Sequence, residues 1–379
     1  MNLPLTEEQQ LIQRIAREFA EKELEPRAEE IDKAGEFPDE AMRMLADLDL
    51  TGVPYPQEYG GGGADKISYV LILEELARSC AATALTLGAH TMVAGPILEF
   101  GTQEQIEKYA PRLCKLEDYG AFALTEACSG TDAGALMCGA ARDGDDYIIN
   151  GAKMFITNGG YCGICVLFAR TDPDTPGSKG VSAFIVDRKE SPFEAGKHED
   201  KMGIRGSDTT ELIFRNCRVP KGNLIGKEGQ GMRIALTTLN VGRITIAAQA
   251  VGIAQAALDE AVKHSKDRRQ FGRPLAKNQA IQWMIADMAR DIAAARLLVL
   301  HAAKLYDEGR PFGVEASMAK LFAAEMAMTH TVKAVQIHGG LGYIRGTKVE
   351  RLMRDAKFTE ILEGTSEVHR MIISGDLLK

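Results

Sequence analysis

Apolar side chains in the first third of the chain recur at helical spacing. Leu11, Ile12, Ile15, Phe19 and Leu24 recur at helical spacing between charged residues, a pattern that predicts an amphipathic helix. The segment Thr6-Glu-Glu-Gln9 precedes this run and is a candidate capping box. Comparable patterns predict further helices over residues 39–49, 67–78, 82–99 and 103–114.

From about residue 120 the pattern changes to short apolar or alternating runs, which are typical of strands. Turn sequences such as Asp143-Gly-Asp-Asp and Asp172-Pro-Asp separate them. The runs cover residues 120–125, 147–157, 164–170, 181–186 and 210–214. This spacing predicts an antiparallel sandwich or barrel of roughly a hundred residues.

Long helical segments return after Val219-Pro220. They are predicted over residues 229–266, 278–308, 314–337 and 348–362, and helices of this length pack together as a bundle. The expected fold class is therefore α+β and multi-domain. It comprises an N-terminal α-helical domain at 1–118, a middle antiparallel β-sandwich or barrel domain at 119–227, and a C-terminal four-helix-bundle domain at 228–379.

Charge and hydropathy argue against two classes of partner. The chain has 45 basic and 53 acidic side chains and a net charge of −8, so no basic excess is available to neutralise nucleic-acid phosphates. Residues 79–98 lack charged side chains, but they include Thr83, His90 and Pro96 and few large aliphatic residues. We expect a buried helix there rather than a membrane span.

The cysteines predict a compartment but no metal site. Seven scattered cysteines are too few for a disulfide framework in a chain of 379 residues. The first residues also lack the basic and apolar segments of a signal peptide, so we expect a reducing, cytoplasmic location.

Cys162-Gly-Ile-Cys165 has the spacing of a redox or zinc motif, but it runs into a strand-like segment and no second pair exists. Residues three apart on a strand face opposite sides, and we interpret both cysteines as buried structural residues.

Three segments combine residue types that suit a binding or catalytic site. Phe122–Gly134 and Phe155–Asn158 each end a predicted strand in hydroxyl, amide or glycine residues, which can present N–H and O–H groups to a planar polar ligand or a phosphate. Glu363 lies next to Gly364 inside an otherwise helical run. By themselves, the first two segments are also typical of β-turns, and Glu363 of a solvated carboxylate at a helix end.

Eight ordered motifs change this interpretation, because together they resemble the acyl-CoA dehydrogenase family, most of all its short-chain, butyryl-CoA branch. The resemblance covers essentially the whole chain. The motifs are FALTEACSGTDAG at 122–134, FITN at 155–158, KHEDKMGIRGSDTTEL at 197–212, VPKGNLIG at 219–226, LNVGR at 239–243, DRRQFGRPL at 267–275, AVQIHGGLGY at 334–343 and RDAKFTEILEGTSEV at 354–368. The family implies non-covalent FAD, a helix–β–helix-bundle fold and a homotetramer built as a dimer of dimers. It also implies α,β-dehydrogenation of an acyl-CoA thioester, with an electron-transfer flavoprotein as electron acceptor.

The family chemistry assigns the central role to Glu363. Desaturation of a thioester requires removal of a Cα proton and transfer of a Cβ hydride to flavin N5, with the base and the flavin on opposite faces of the substrate. The resemblance makes Glu363 this base. Its backbone N–H and a flavin ribityl hydroxyl would polarise the thioester carbonyl. An apolar pocket should raise the pKa of Glu363 toward neutrality.

The resemblance also implies the remaining site residues. Thr125 and Thr157 would hydrogen-bond the isoalloxazine and Phe155 would contact its ring, while Arg268, Gln279 and the 336–340 loop would hold the pyrophosphate and adenosine of a neighbouring subunit's FAD. The full cofactor set is Phe122, Leu124, Thr125, Gly130, Thr131, Phe155, Ile156, Thr157, Arg268, Gln270, Phe271, Gln279, Gln336, Ile337, His338, Gly339, Gly340, Thr365, Ser366 and Glu367. The substrate set is Thr131, Asn240, Val241, Gly242, Arg243, Leu362 and Gly364.

Four positions bear on specificity or on the base. Phe155 stands where the family more often has Trp, Asn240 replaces the usual Asp, and Leu362 replaces the Tyr before the base. Some relatives place the base at the position of Gly242, where glycine cannot serve. Loss of the aromatic at 362 suggests room for a branched or alicyclic acyl group beside a short-chain pocket.

Three alternatives stay open from the sequence. An acyl-CoA oxidase and a physiological enoyl-CoA reductase share the same fold; the oxidase is less favoured because such enzymes are usually longer. A non-catalytic helical scaffold is a remote third, since Glu363, Thr125 and Arg268 are all present.

Overall fold

Six α-helices form the N-terminal part of the computed structural model, which describes residues 5–175 and 177–379. They are α1 Glu7–Phe19, α2 Ala28–Ala34, α3 Asp39–Asp47, α4 Lys66–Ser79, α5 Ala81–Phe100 and α6 Gln103–Cys114, with a π-helical turn at Ala20–Leu24 after α1. The predicted capping box is confirmed, because the Thr6 hydroxyl accepts from the Gln9 N–H and the Gln9 side chain accepts from the Thr6 N–H. The helical pattern of the sequence therefore located five of these helices to within a few residues, whereas the short α2 was not predicted.

The middle region is a sheet folded into two layers. Its strands are β1 Tyr119–Ala123, β2 Gly139–Asp143, β3 Asp146–Thr157, β4 Cys162–Arg170, β5 Val181–Asp187, β6 Glu194–His198, β7 Thr209–Pro220 and β8 Leu224–Ile225. One layer holds β1, β4, β5 and β8 and the other holds β2, β3, β7 and β6, joined by a single pairing of Gly139 with Arg170. Leu167 and Phe184 from the first layer share a core with Ile149 and Phe214 from the second. This arrangement is the predicted sandwich.

The strand directions correct one part of that prediction. β1 and β2 each pair with β4 in parallel, whereas the other pairings are antiparallel. The long excursion between β1 and β4, which includes the β2–β3 hairpin, returns the chain in the same direction, and parallel pairs require such a connection. Alternation of apolar residues reports burial of a strand face and carries no information on strand direction.

The two cysteines of the Cys162–Cys165 motif are buried in the sandwich core. Residues three apart on a regular strand would face opposite sides, but both cysteines face this core. The reason is a shift in the pairing register at the start of β4, where Cys162 pairs with Tyr119. Burial raises the pKa of the Cys162 thiol to about 12 and that of Cys165 well above its usual value. Neither thiol is therefore disposed to form a reactive thiolate.

The C-terminal region contains the four predicted helices and a fifth that the pattern did not predict. They are α7 Gly231–Asp267, α8 Gln279–Asp307, α9 Gly313–His338, α10 Lys348–Thr359 and α11 Ser366–Leu377, with a small hairpin of β9 Arg269–Gln270 and β10 Arg273–Pro274 after α7. The segment predicted as one helix over 348–362 ends at Thr359. The chain then reverses through Glu363 and Gly364, whose φ angles of 56° and 107° are incompatible with a continuing α-helix.

Helix α7 connects the parts of the fold. It packs against α8, α9 and α10 on the bundle side and against α4 and α5 on the other. Helices α5 and α7 are both long and apolar enough to cross a membrane by length and composition, but 78% and 83% of their most apolar windows are buried inside the protein. Such burial is what the core helix of a globular fold shows.

Candidate functional site

Glu363 lies in a short reversed loop between α10 and α11. Its φ of 56° is uncommon for a residue with a side chain, and such strain persists where the surrounding structure requires one conformation. The Oε2 atom is buried and has no hydrogen-bond partner among the described residues. A buried, unpartnered carboxylate oxygen is costly for folding, so we regard it as held for a ligand.

Gly242 of α7 lies directly against this carboxylate. A Cβ atom built on Gly242 would be 2.0 Å from Glu363 Oε2, far inside van der Waals contact. The position where some relatives carry their base is therefore filled here by the Glu363 side chain from another segment. The absence of a side chain at 242 creates the space that the carboxylate occupies.

The electrostatic surroundings bring Glu363 close to neutrality. Burial raises its pKa to about 7, while the nearby Arg243 and Lys320 oppose that rise. Arg243 is itself buried and donates to Asn240 Oδ1 at 2.6 Å. A carboxyl whose pKa lies near the working pH is well suited to act as a general base.

The backbone of the loop supplies a free donor next to the carboxylate. The N–H of Glu363 has no acceptor within the described part of the chain, although the neighbouring Leu362 N–H donates to Phe358 O. An N–H group in this position matches the oxyanion donor expected from the sequence. The loop thus presents a base and a hydrogen-bond donor from the same residue.

A second set of predicted residues meets at the ends of β1 and β3. The Met154 N–H donates to Thr125 O at 2.9 Å, which joins the Phe122–Thr131 segment to the Phe155–Thr157 segment. Phe155 has a φ of 59° and leaves 57% of its side chain exposed. Gly130 and Thr131 are exposed nearby in sequence, whereas the side chains of Leu124 and Ile156 are buried. An exposed aromatic face beside hydroxyl groups can receive a planar polar ligand.

A buried ion pair, which sequence reasoning missed, supports this rim. Lys153 is fully buried and donates to Leu124 O at 3.0 Å and to Glu126 Oε1 at 2.6 Å. Glu126 in turn accepts from the N–H groups of Met137 and Cys138. The pair holds the chain on both sides of Thr125. In the sequence, Lys153 looks like an ordinary outward-facing polar residue of a strand.

The third predicted set lies on the surface of the helical region. Arg268, Gln270, Phe271 and Gln279 are exposed at the end of α7, in the β9–β10 hairpin and at the start of α8. Phe271 and Gly272 form the turn of that hairpin with φ angles of 49° and 77°, and the Phe271 side chain is fully exposed. Gln336, Gly339 and Gly340 are exposed and His338 is partly so at the end of α9, whereas Ile337 is buried in the helical core. This chain alone does not bring the set to Glu363.

The predicted residues on either side of the Glu363 loop also differ in their exposure to solvent. Thr365 is the N-cap of α11, Ser366 is buried and Glu367 is exposed. Leu362 is partly buried and packs against the helical core. On the substrate side, Asn240 lines an open groove of about 350 Å³ with Phe312, Gly313, Asp376 and neighbouring residues, and Val241 is partly buried beside it in sequence.

Two further polar groups in the helical core were not predicted. Gln249 lies two turns after Gly242 on α7, and its buried Nε2 has no partner and is 3.1 Å from where a Cβ on Gly88 would lie. The buried Tyr69 hydroxyl of α4 is also unpartnered among the described residues. A lone glutamine in an alanine-rich helix is not distinguishable in sequence from a surface residue. Only the packing of α7 between α4 and α5 shows that it is buried.

Family models match all three parts of the chain. The models for the N-terminal, middle and C-terminal domains of acyl-CoA dehydrogenases match residues 6–117, 121–217 and 229–378. The chain belongs to the acyl-CoA dehydrogenase family. It is accordingly an oxidoreductase with the three-domain fold of that family, as the sequence predicted.

Curated relatives and solved structures cover the whole chain. It is 50% identical to the short-chain specific acyl-CoA dehydrogenase of Clostridium acetobutylicum over 100% of both chains. It is 49% identical to the NADH acryloyl-CoA reductase of Anaerotignum propionicum, over 100% of this chain and 96% of that protein.

Two solved structures have nearly the same fold. Butyryl-CoA dehydrogenase from Megasphaera elsdenii superposes with a TM-score of 0.97 at 46% identity, over 100% of each chain. A chain from the structural study of the electron transferring flavoprotein of Acidaminococcus fermentans has a TM-score of 0.98 at 50% identity, again over 100% of each.

Replacement of Gly242 by alanine tests the contact with the base. The added methyl group would overlap Glu363 Oε2, so we expect Gly242→Ala to displace the carboxylate and lower turnover by roughly 100-fold, within the range for loss of a general base. The measurement is steady-state oxidation of an acyl-CoA with an artificial electron acceptor. Gly375→Ala is the matched control, since Gly375 is also helical but has open space around its Cα. Equal activity of both variants would contradict the proposed contact.

Proposed function

We propose that this protein catalyses FAD-dependent α,β-dehydrogenation of a short-chain acyl-CoA, with Glu363 as the base that removes the Cα proton. The observation that carries this proposal is the Glu363 Oε2 atom over Gly242, which is buried and has no hydrogen-bond partner among the described residues, together with a carboxyl pKa raised by burial to about 7. A carboxylate of this basicity in a water-poor site can abstract a weakly acidic proton. The product is the 2-enoyl-CoA.

The loop residues act together on the thioester. Glu363 Oε takes the Cα proton, and its own N–H donates to the thioester carbonyl, where negative charge develops. Arg243 and Lys320 favour the ionised state of Glu363 that the reaction requires. Bound FAD would supply the acceptor for the Cβ hydride.

The residues at the ends of β1 and β3 fit the ring system of such a flavin. Phe155 offers an exposed aromatic face. Thr157 follows it by two residues, and Thr125 accepts from the N–H of the preceding Met154; both threonine side chains are partly buried. The Lys153–Glu126 pair keeps this rim rigid. Phe155 stacks on the ring without the indole N–H that the more usual Trp would provide.

The exposed third set is proposed to act across a subunit boundary. Arg268, Gln270, Phe271, Gln279 and the 336–340 loop would hold the pyrophosphate and adenosine of a neighbour's FAD, which implies a homotetramer built as a dimer of dimers. The full exposure of Phe271 at the hairpin tip leaves its ring available for contact with a neighbouring subunit. A cytoplasmic location stays a prediction.

A short acyl group is favoured by the polar atoms in the helical core. Gln249 and the Tyr69 hydroxyl are buried on α7 and α4, both of which pack against α5, the uncharged helix along which we propose that the acyl end lies. Such groups are a poor lining for a long alkyl chain, because each added methylene contributes about 0.8 kcal/mol only when it is buried among apolar atoms. The names of the Clostridium and Megasphaera relatives support the same choice.

The physiological direction has a specific second candidate. The similarity to an acryloyl-CoA reductase supports an enoyl-CoA reductase that runs the same chemistry in reverse. The likeness to a chain from the Acidaminococcus electron transferring flavoprotein study supports such a flavoprotein as the redox partner in either direction. An acyl-CoA oxidase is the remaining alternative, and rapid reoxidation of the reduced enzyme by oxygen would favour it.

Glu363→Gln tests the base directly. The amide is nearly isosteric, so we expect FAD to stay bound while anaerobic flavin bleaching by butyryl-CoA slows by ~10²–10⁴-fold. In the wild type, the ionised base is the active form, so the bleaching rate should rise as pH increases through about 7 and then level off. Normal bleaching in the variant, or a wild-type rate that falls over this pH range, would rule out Glu363 as the base.

Leu362→Tyr tests the acyl specificity. We propose that the absence of an aromatic residue at 362 widens the site beside Cα and Cβ, so the wild type should accept branched or alicyclic acyl groups and lose activity beyond hexanoyl. The variant should lose turnover of isobutyryl-CoA or a cyclic acyl-CoA far more than turnover of butyryl-CoA. An equal loss on both substrates would assign Leu362 to packing alone, in line with its contact with the helical core.

Arg268→Ala tests the bridging role of the third set. A ligand that is held by two subunits stabilises their assembly, so the variant should bind FAD more weakly and melt at a lower temperature, and added FAD should restore part of the loss. FAD content and thermal melting are measured beside the mass of the assembly. A monomer that retains FAD as tightly as the wild type would contradict the proposal.

A further inference from the structure

Lys320 is a fully buried lysine that touches the catalytic loop from behind. It lies on α9, and its ammonium donates to the Gly364 carbonyl at 2.6 Å. Burying an ammonium is costly unless it is paired, yet its acceptor is a neutral carbonyl of the residue after the base. No interpretation of the sequence gave this residue a role.

The loop depends on few other contacts. Glu363 and Gly364 both have positive φ angles, which reverse the chain between α10 and α11. Within the described residues, the Glu363 carboxylate and N–H have no hydrogen bond of their own, so neither fixes the loop. The Ser366 N–H closes the reversal by donating to Glu360 O at 3.2 Å, and the Lys320–Gly364 bond ties the reversal to α9 of the bundle.

We infer that Lys320 is a positioning residue for Glu363, because its bond to the Gly364 carbonyl holds the reversed loop with the carboxylate over Gly242 and the Glu363 N–H free. The inference rests on the proposed function of Glu363. Lys320 touches neither substrate nor cofactor in this scheme and acts through the loop.

The charged groups around the loop make the role of Lys320 measurable through the pH dependence of flavin bleaching. Arg243 from α7 and Lys320 from α9 lower the pKa of Glu363, whereas Tyr69 from α4 faces it as a neutral phenol. Glu360 and Glu367, at the two ends of the loop, act on Lys320. His369 from α11 is buried, and burial lowers its pKa to about 3. Burial lowers the pKa of Lys320 itself to about 8, so loss of its charge falls on the alkaline side of the pH–rate profile for bleaching. The acid limb of that profile, near pH 7, therefore reports on Glu363 and not on His369.

Lys320→Met removes the donor and the charge while preserving length. We expect the holoenzyme to contain FAD and to bind butyryl-CoA within about 3-fold of the wild type, while anaerobic bleaching at saturating substrate slows by roughly 100-fold, since misplacement of a catalytic group by about 1 Å can have an effect of that size. The acid limb should move to higher pH, because a nearby positive charge is lost. Unchanged bleaching and an unchanged limb would overturn the inference.

Two further variants distinguish a positioning role of Lys320 from a role in stability alone. Lys66→Met is the matched control, because Lys66 is also buried but packs over the rings of Tyr69 and Tyr306 rather than on the loop; it should lower the melting temperature and leave the acid limb in place. Lys320→Arg keeps the charge but changes the reach, so its bleaching should slow while its limb stays near that of the wild type. The same limb shift in the Met and Arg variants would overturn the role of the ammonium.

The remaining outcomes are also decisive. If Lys320→Met does not fold, slowed bleaching with unchanged substrate affinity in Lys320→Arg supports the inference and a wild-type rate overturns it. If neither variant folds while Lys66→Met does, Lys320 serves stability alone and the positioning role is overturned. If no acyl-CoA bleaches the flavin of the wild-type enzyme, the proposed function is refuted. If the wild-type flavin is bleached and that of Lys320→Met is bleached equally fast, only this inference is refuted.

Discussion

The burial of one carboxylate against a helix that lacks a side chain at the point of contact is the constraint on which the site depends. Glu363 Oε2 occupies the space above Gly242, and a Cβ there would be 2.0 Å away. Desolvation raises the pKa of the carboxyl to about 7, and the positive charges of Arg243 and Lys320 limit that rise. The same burial that makes the group basic also makes it costly, so the surrounding helices must be rigid enough to retain it.

Helix α7 provides this rigidity. It carries Gly242, Arg243 and Gln249 over two turns, and it is held between α4 and α5 on one side and α8 to α10 on the other. The loop that carries Glu363 is supported in turn by Lys320 on α9. In the sandwich, the buried Lys153–Glu126 pair stabilises the rim proposed for the flavin in a comparable way. In both places a buried lysine binds backbone carbonyl or carboxylate oxygens and holds a segment that would otherwise have few contacts.

The groups that we propose to govern acyl specificity and subunit assembly lie in different parts of the helical region. Unpartnered polar atoms of Gln249 and Tyr69 lie in the core beside α5 and favour a short acyl group. The exposed hairpin around Phe271 lies at the far end of α7 and is proposed to complete a neighbour's cofactor site. We therefore propose that a single protein chain contains both the base and the flavin rim and contributes the adenosine-binding residues to another subunit.

Periodicity and turn residues determined the secondary structure, because burial of one face leaves a regular imprint on the sequence. They located the N-terminal helices, the main strands and α7 to α10, and the motif resemblance singled out Glu363 and Thr125. The short helix α2, the strands β2, β6 and β8, the helix α11 and the parallel pairings of β4 were missed, since short elements carry little periodicity and strand direction carries none. The roles of Lys153, Gln249 and Lys320 depended entirely on the tertiary structure. A polar residue in a helix or strand has the same local pattern whether it faces solvent or is buried, and only the packing of distant segments decides between the two.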